Sequence, residues 1–274
     1  MSKKLDYIPF FKNYEEIREW MKDDLDYRLA TRLNKTSLGR PLYERINVQL
    51  IMTQECPYHC DFCLERKHPM KGQFNAEAQK IALFHVLKEH PNARLSITGG
   101  EPSLYPDHVK DLVRIYNENS KNVFCSINTA GYDSAIKDLA HINLSINDYV
   151  QPDPKDYPHC TVQTVLTDEQ MTLDNIMGYM RMTDAESFSF RYLCDIKEKH
   201  DYNVNILKEL SHNPKIKIRT FRVGDFFMYV TFDYFGKHAR ITLGDMYQQT
   251  HNDYKDGYSN IIIHPNGKIG VNWH

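Results

Sequence analysis

The chain has 274 residues, of which 41% are hydrophobic and 26% charged, as in ordinary globular proteins with a sizeable core. Its 34 basic and 36 acidic residues give a net charge of −2, which argues against the strongly basic surface of a nucleic-acid-binding protein. No apolar run approaches the ~20 residues that span a bilayer, and the first residues lack the apolar stretch of a signal peptide. We therefore expect a soluble, cytoplasmic protein without membrane contacts.

Residues 1–44 carry many charges, and a helix is predicted at 14–21. We expect this segment to form a helical extension that packs on the main domain. The main domain, 45–213, is expected to begin with a strand at 46–53, where apolar residues are frequent.

A cysteine-rich loop follows this first predicted strand. It contains Cys56, Cys60 and Cys63, so its spacing is C-x3-C-x2-C. Three thiolates on one short loop can surround a compact inorganic core, and one metal position would stay open because no fourth cysteine is nearby. In a protein without an export signal, such a cluster indicates metal binding or redox chemistry rather than a disulfide framework.

Zinc is the alternative occupant of this loop. Structural zinc usually has four protein ligands, commonly arranged in C-x2-C pairs. Here one interval is three residues, and His59 or His68 would have to supply the fourth ligand. A non-catalytic zinc or iron–sulfur binding module is therefore the hypothesis against which an enzyme must be tested.

A second motif lies one helix further along the chain. A helix is predicted over about 75–90 and a strand over 94–98, which runs directly into Gly-Gly-Glu-Pro at 99–102. Two glycines allow the backbone to approach a ligand closely, and the adjacent carboxylate can hold an ammonium group. The apolar face of the helix is expected to comprise Ile81, Phe84, His85 and Leu87.

Strands and helices continue to alternate as far as residue 213. Further strands are predicted at 122–127, 142–146, 161–166 and 187–193. Further helices are predicted at 106–119, 133–140, 169–182 and 203–212. Six strands that alternate with helices predict βα units and a parallel sheet.

Beyond residue 213 the pattern changes. Alternating and aromatic segments predict that 214–274 form a mainly antiparallel β extension that caps the domain, with a hairpin around 261–269. Four basic residues lie near its start: Lys215, Lys217, Arg219 and Arg222. We expect a solvated strand edge there. A clamp for an anionic substrate is the alternative.

Together, the cysteine loop and the Gly-Gly-Glu-Pro motif resemble those of the radical S-adenosylmethionine (SAM) superfamily. In that family an aromatic residue precedes the third cysteine, as Phe62 does here. The resemblance implies that the three cysteines ligate one [4Fe–4S] cluster, whose open iron chelates the amino and carboxylate groups of SAM. It also implies that Phe62 packs near the adenine. The methionyl end of SAM would be bound by Gly99, Gly100 and Glu101.

The resemblance further implies a fold, a partial (β/α)6 TIM-like barrel with its site at the carboxyl ends of the strands. The closest pattern within the family is the branch of the molybdenum-cofactor cyclase and its SPASM/twitch relatives. Residues 128–131, Asn-Thr-Ala-Gly, resemble the T-T-N-G turn of that branch, with Thr129 matching and Asn128 and Ala130 departing. Ser145 matches a fourth-strand serine that contacts SAM, so Thr129 and Ser145 are further candidate SAM ligands.

One departure from that branch concerns cysteines. Its members carry additional cysteines in the C-terminal region for auxiliary clusters, whereas this chain has none after Cys194. We therefore predict a single cluster. Cys125, Cys160 and Cys194 lie in or beside separate predicted strands and are expected to be buried, inert thiols.

The main functional hypothesis is an enzyme that cleaves SAM reductively and uses the 5′-deoxyadenosyl radical to abstract hydrogen from a substrate. A small biosynthetic substrate is preferred, either a nucleotide, a nucleoside or an amino-acid derivative, because the chain is compact and lacks auxiliary-cluster cysteines. The alternative enzyme is a peptide- or protein-modifying maturase. The family resemblance implies an electron donor such as a flavodoxin or ferredoxin.

Overall fold

The computed structural model describes residues 45–63, 72–166, 172–192, 209–223, 228–242 and 258–270, together with positions 19, 66 and 206. The chain divides into two compact units, with boundaries at 42/43, 162/163 and 251/252. The unit that contains both sequence motifs, within 43–162 and 252–274, is called the motif unit. The other is called the meander unit.

Strands and helices alternate over much of the described chain. The strands are β1 (Arg45–Ile51), β2 (Arg94–Thr98), β3 (Cys125–Thr129), β4 (His141–Ser145), β5 (Thr161–Leu166), β6 (Ser187–Tyr192), β7 (Ile216–Val223), β8 (Met228–Tyr234), β9 (Lys237–Thr242), β10 (Tyr258–Ile263) and β11 (Ile269–Gly270). The α-helices with both ends described are α1 (Ala76–Glu89), α2 (Pro106–Asn119) and α3 (Leu173–Met182). Short 3-10 helices cover Pro102–Leu104, Ser134–Ile136 and Pro154–Asp156. Position 206 and residues 209–212 are also helical.

The motif unit is built from parallel βα units. Its strands are ordered β11-β10-β1-β2-β3-β4, and all neighbours run parallel except β10 and β11. Asn75 caps the start of α1 by accepting a hydrogen bond from the backbone N–H of Ala78, and Pro106 begins α2 where no intrahelical N–H is needed. The predicted α/β class, with a mostly parallel sheet, is confirmed.

The predicted apolar face of α1 is wrong at three of its four positions, and only Leu87 is buried as predicted. Ile81 and Phe84 are 58% and 40% exposed, and His85 is exposed as well. The buried side of the helix instead comprises Gln79, Ala82, Leu83, Val86 and Leu87. The prediction failed because a polar residue, Gln79, begins the buried stripe and apolar residues stand on the exposed side.

The meander unit pairs β6 in parallel with β9, and β9-β8-β7 form an antiparallel meander. Lys237 fixes the carboxyl end of α3 by donating to the carbonyls of Met180 and Thr183 at 2.7 and 2.6 Å. The side chains of Lys217 and Arg219 on β7 are exposed, as expected for a solvated edge, and Arg219 pairs with Asp233.

The C-terminal region differs in part from the predicted β-rich cap. The hairpin is present as β10 and β11, but β10 lies parallel to β1 and so extends the sheet of the motif unit. The helix predicted at 133–140 is reduced to the 3-10 helix Ser134–Ile136. Most of the 14–21 helix, together with His68 and Cys194, falls outside the described residues, and the domain boundaries at 44 and 213 stay predictions.

No helix in the described parts of the chain combines the length and the apolar character needed to cross a membrane. Cys125 and Cys160 are buried, as predicted for inert thiols, and burial raises the pKa of Cys125 to about 12. A thiol with so high a pKa carries little thiolate at neutral pH and is a poor nucleophile or metal ligand.

Candidate cluster and SAM site

Two loops leave neighbouring parallel strands at the same edge of the sheet. The cysteine loop, residues 52–63, follows β1, and the Gly-Gly-Glu-Pro turn follows β2, whose last residue pairs with Ile51. The N–H of Met52 donates to the Thr98 carbonyl at 2.8 Å, which extends the strand pairing into the loop. The N–H of Glu101 donates to the Glu55 carbonyl at 2.8 Å. The two sequence motifs are therefore joined through their backbones.

The two glycines make this close approach possible. Gly99 and Gly100 have φ values of +82° and +51°, which side-chain-bearing residues rarely adopt. A Cβ on Gly100 would lie 2.3 Å from the Glu55 carbonyl oxygen, and one on Gly99 would lie 2.2 Å from Cγ2 of Ile51. Both distances are severe clashes. The glycines thus allow the two loops to contact each other, whereas the sequence predicts only that they let the backbone approach a ligand.

Glu101 ties these loops to the next strand. Its carboxylate is 1% exposed and accepts hydrogen bonds from the N–H groups of Ser103 and Ala130 and from the hydroxyl of Thr129. That hydroxyl in turn accepts from the Gly131 N–H at 2.9 Å. Thr129, a predicted SAM ligand, therefore has its hydroxyl engaged within the protein and holds Glu101 in place.

The three predicted cluster ligands are free thiols of intermediate burial. Burial raises the pKa of both Cys56 and Cys60, and the charges of neighbouring cysteines add to the shift. Within the described residues, no three His, Cys, Asp or Glu side chains are grouped closely enough to hold one metal ion. That finding concerns a single ion; in a polynuclear cluster each thiolate binds a different iron.

A turn after β4 contacts the cysteine loop. The Cys60 sulfur lies 4.0 Å from Oδ1 of Asn147, and the hydroxyl of Tyr149 donates to the Asp61 carboxylate at 2.7 Å. Phe62 meets the Tyr149 ring edge-on, with 6.1 Å between centroids. Ser145 lies half-buried at the end of β4, and its hydroxyl makes no hydrogen bond to another described residue.

The start of the cysteine loop is anchored from α1. Gln79 is fully buried, and its amide nitrogen donates to the carbonyls of Ile51, Met52 and His264 at 2.8 to 3.1 Å. Because carbonyls only accept, Oε1 of Gln79 must face His108, whose Nε2 lies 2.9 Å away and must carry the proton. Gln79 and His108 thus fix where β1 ends and the loop begins.

Comparison with known proteins identifies the family. The model of the radical SAM superfamily matches residues 50–177, which include both motifs. The chain is a member of the radical SAM superfamily. No curated protein sequence matches it.

The chain is also similar to solved structures. Streptococcus suis SuiB bound to precursor peptide SuiA is 14% identical, with a TM-score of 0.52 over 83% of this chain and 59% of that chain. SuiB bound to S-adenosylmethionine is 13% identical, with a TM-score of 0.52 over 83% and 60%. Native anSMEcpe with bound AdoMet is 15% identical, with a TM-score of 0.48 over 60% of each chain. The chain thus spans about 60% of the length of these proteins. The SuiB likeness shows a TIM-like partial barrel fold.

Sequence analysis of this radical SAM protein missed two of the residues that anchor its cysteine loop. Neither His108 nor Gln79 stands out in the sequence as a candidate site residue. A polar residue that starts the helical stripe 79, 82, 83, 86 and 87 is a signal that could have drawn attention to it. No pattern in the sequence indicates that His108 would face it.

The buried His108 predicts a pH-dependent stability. Burial lowers its pKa to about 4, whereas an unfolded histidine titrates near 6.5. Between these values the unfolded state binds more protons, so stability falls as the pH is lowered, by about 2 kcal/mol at pH 5. Urea unfolding at pH 7 and pH 5 measures this loss, which should disappear in His108→Gln and persist in His85→Gln, a change at an exposed position of α1. An equal loss in all three proteins would contradict the assignment.

The buried Glu101 predicts a strong effect of an isosteric change. In Glu101→Gln one carboxylate oxygen becomes an NH₂ group, which cannot accept from Ser103, Thr129 or Ala130. Leaving a buried donor unpaired in a charged network costs about 2–3 kcal/mol of unfolding free energy. Glu118→Gln on the exposed side of α2 is the matched control and should change little. Equal unfolding free energies for the two variants would be incompatible with the bonding described.

Proposed function

We propose that the chain is an enzyme that binds one [4Fe–4S] cluster through Cys56, Cys60 and Cys63 and cleaves SAM reductively. The observation that carries this proposal is the family match over 50–177, because it includes the three cysteines and the Gly-Gly-Glu-Pro turn. The donor set fits such a group, since three free thiols of intermediate burial lie on one loop whose root is held by buried hydrogen bonds.

The charges around the Gly-Gly-Glu-Pro turn favour a cationic ligand. Glu101 is buried, its three hydrogen-bond donors are uncharged, and its charge contributes to raising the pKa of Cys56, Tyr58 and Tyr157. For each of these groups burial is the larger cause. The smaller part of each pKa shift, which Glu101 contributes, reflects the negative potential of its carboxylate. SAM carries an ammonium group and a sulfonium, so this potential supports binding of its methionyl end here.

When bound, the cluster and SAM supply a 5′-deoxyadenosyl radical that takes hydrogen from the substrate. The protein's own residues orient SAM and exclude water. Gly99, Gly100 and Glu101 bind the methionyl end, Phe62 packs near the adenine, and Ser145 offers a hydroxyl that no described residue uses. Thr129 acts through Glu101: its hydroxyl donates to Oε1 of Glu101 at 2.5 Å and so fixes the position of that carboxylate. The electron that reduces the cluster comes from a flavodoxin or ferredoxin.

The substrate is a small biosynthetic intermediate, either a nucleotide, a nucleoside or an amino-acid derivative. A peptide or protein substrate is the second candidate; SuiB, which shares the fold, was solved bound to its precursor peptide SuiA. At 14% identity this likeness carries the fold and not the substrate. Peptide-dependent consumption of SAM would decide for the second candidate.

Cysteine substitution separates the enzyme from a non-catalytic metal-binding module. After anaerobic reconstitution, Cys60→Ala should lose the cluster and the formation of 5′-deoxyadenosine from SAM under reduction. Cys125→Ala is the matched control, because Cys125 is buried on β3 and should leave both intact. Iron and sulfide analysis and chromatography of the SAM products measure the two outcomes. Retained turnover in Cys60→Ala, or a wild-type chain that binds zinc and forms no 5′-deoxyadenosine, would overturn the proposal.

A further inference from the structure

One face of the motif unit's sheet carries an unusual set of side chains. In a parallel pair, residues in register share a face, and successive residues alternate between faces. By this rule one face of β1 to β4 carries eight uncharged polar residues, Asn47, Gln49, Ser96, Thr98, Ser126, Asn128, Asn143 and Ser145. We call this surface the amide face.

The opposite face of the same strands is an ordinary core. Its side chains are at most 8% exposed and almost all aliphatic, as for Val48, Leu95 and Ile127. The amide face is mostly of intermediate burial, so it is neither core nor open surface. Strands are enriched in β-branched and aromatic residues, whereas asparagine is depleted from them. Three asparagines on one face therefore oppose local propensity, and such conflicts concentrate at functional sites.

Two of these asparagines are oriented by a chain of hydrogen bonds. The amide nitrogen of Asn128 donates to Oγ of Ser96 at 2.9 Å and faces the Ile97 carbonyl at 3.4 Å. Since that carbonyl only accepts, Oδ1 of Asn128 points to Asn143, which donates to it at 3.0 Å. Oδ1 of Asn143 accepts no hydrogen bond from any described residue. It is a preoriented acceptor on the amide face.

Fixed positive charge is sparse on this face. On the described parts of β1 to β4, its one arginine or lysine with a described side chain is Arg94, at the amino end of β2. The guanidinium of Arg94 lies over the Phe124 ring at 5.1 Å. Phosphate groups are bound by Arg, Lys or helix N-termini. The eight polar residues that define the amide face offer a ligand amide and hydroxyl groups instead.

We propose that the amide face binds the neutral, hydrogen-bonding part of the substrate, with Oδ1 of Asn143 accepting from a substrate N–H or O–H group. This rests on the radical SAM function proposed above and narrows its substrate to a nucleoside, a neutral amino-acid derivative or a peptide amide group. It disfavours a phosphorylated substrate.

The test uses charge-separated metabolites and the full chain. A cell extract is divided by anion exchange into an unretained neutral fraction and a strongly retained phosphorylated fraction. Each is added to the cofactor-free chain and, separately, to the reconstituted protein with SAM. Thermal unfolding reports binding, and 5′-deoxyadenosine formation reports turnover.

The variant is Asn143→Leu, because a leucine side chain is nearly the same size as asparagine and suits a strand. The matched control is Asn92→Leu, in the exposed turn before β2.

The neutral fraction should raise the unfolding temperature of the wild type and of Asn92→Leu. In Asn143→Leu about tenfold more of that fraction should be needed for the same shift, as expected for one lost hydrogen bond. Binding of SAM to the reconstituted protein should be unchanged in both variants. Protection by the phosphorylated fraction alone, by neither fraction, or equally in Asn143→Leu would overturn the inference. Asn128→Leu gives an independent second variant should Asn143→Leu not fold.

The inference and the proposed function fail separately. Protection of the cofactor-free chain by the neutral fraction, without any 5′-deoxyadenosine from the reconstituted protein, would support the amide face and reject the radical chemistry. Formation of 5′-deoxyadenosine that only the phosphorylated fraction stimulates would do the reverse.

Discussion

The structure of the site depends on one constraint, the contact between two loops that leave adjacent parallel strands. β1 and β2 end in register, and their loops remain joined through the Met52–Thr98 and Glu101–Glu55 backbone hydrogen bonds. A single methyl group on Gly100 would prevent this contact. Because the cysteines follow this junction by only a few residues, the path of their loop is set by backbone pairing.

Two buried polar groups stabilise this junction from opposite sides. Glu101 links it to Thr129 at the end of β3. Gln79, on α1, links it to His264, the residue after β10, and through His108 to α2. Each group has several hydrogen-bond partners, so neither bears the penalty of an unpaired polar atom. Networks of this kind are sensitive to loss of one member, because the remaining groups are then buried without partners.

The sequence predicts the strands and the two motifs well, because strand periodicity and turn residues are local signals. It could not reveal that β10 lies beside β1, since that pairing joins residues some two hundred positions apart. It also misplaced the face of α1, where tertiary contacts of Gln79 override the hydrophobic pattern. Asn128, which departs from the family's T-T-N-G turn, gains a role only when Asn143 is seen beside it.

Electron paramagnetic resonance of the reconstituted, reduced protein tests the central claim most directly. The proposed cluster, with three thiolate ligands and an open iron, predicts a single [4Fe–4S] signal. The shape of this signal should change when SAM is added, because under the proposal SAM would bind at the iron that the protein leaves free. A signal that SAM does not alter, or a protein that incorporates zinc and gives no iron–sulfur signal, would contradict it.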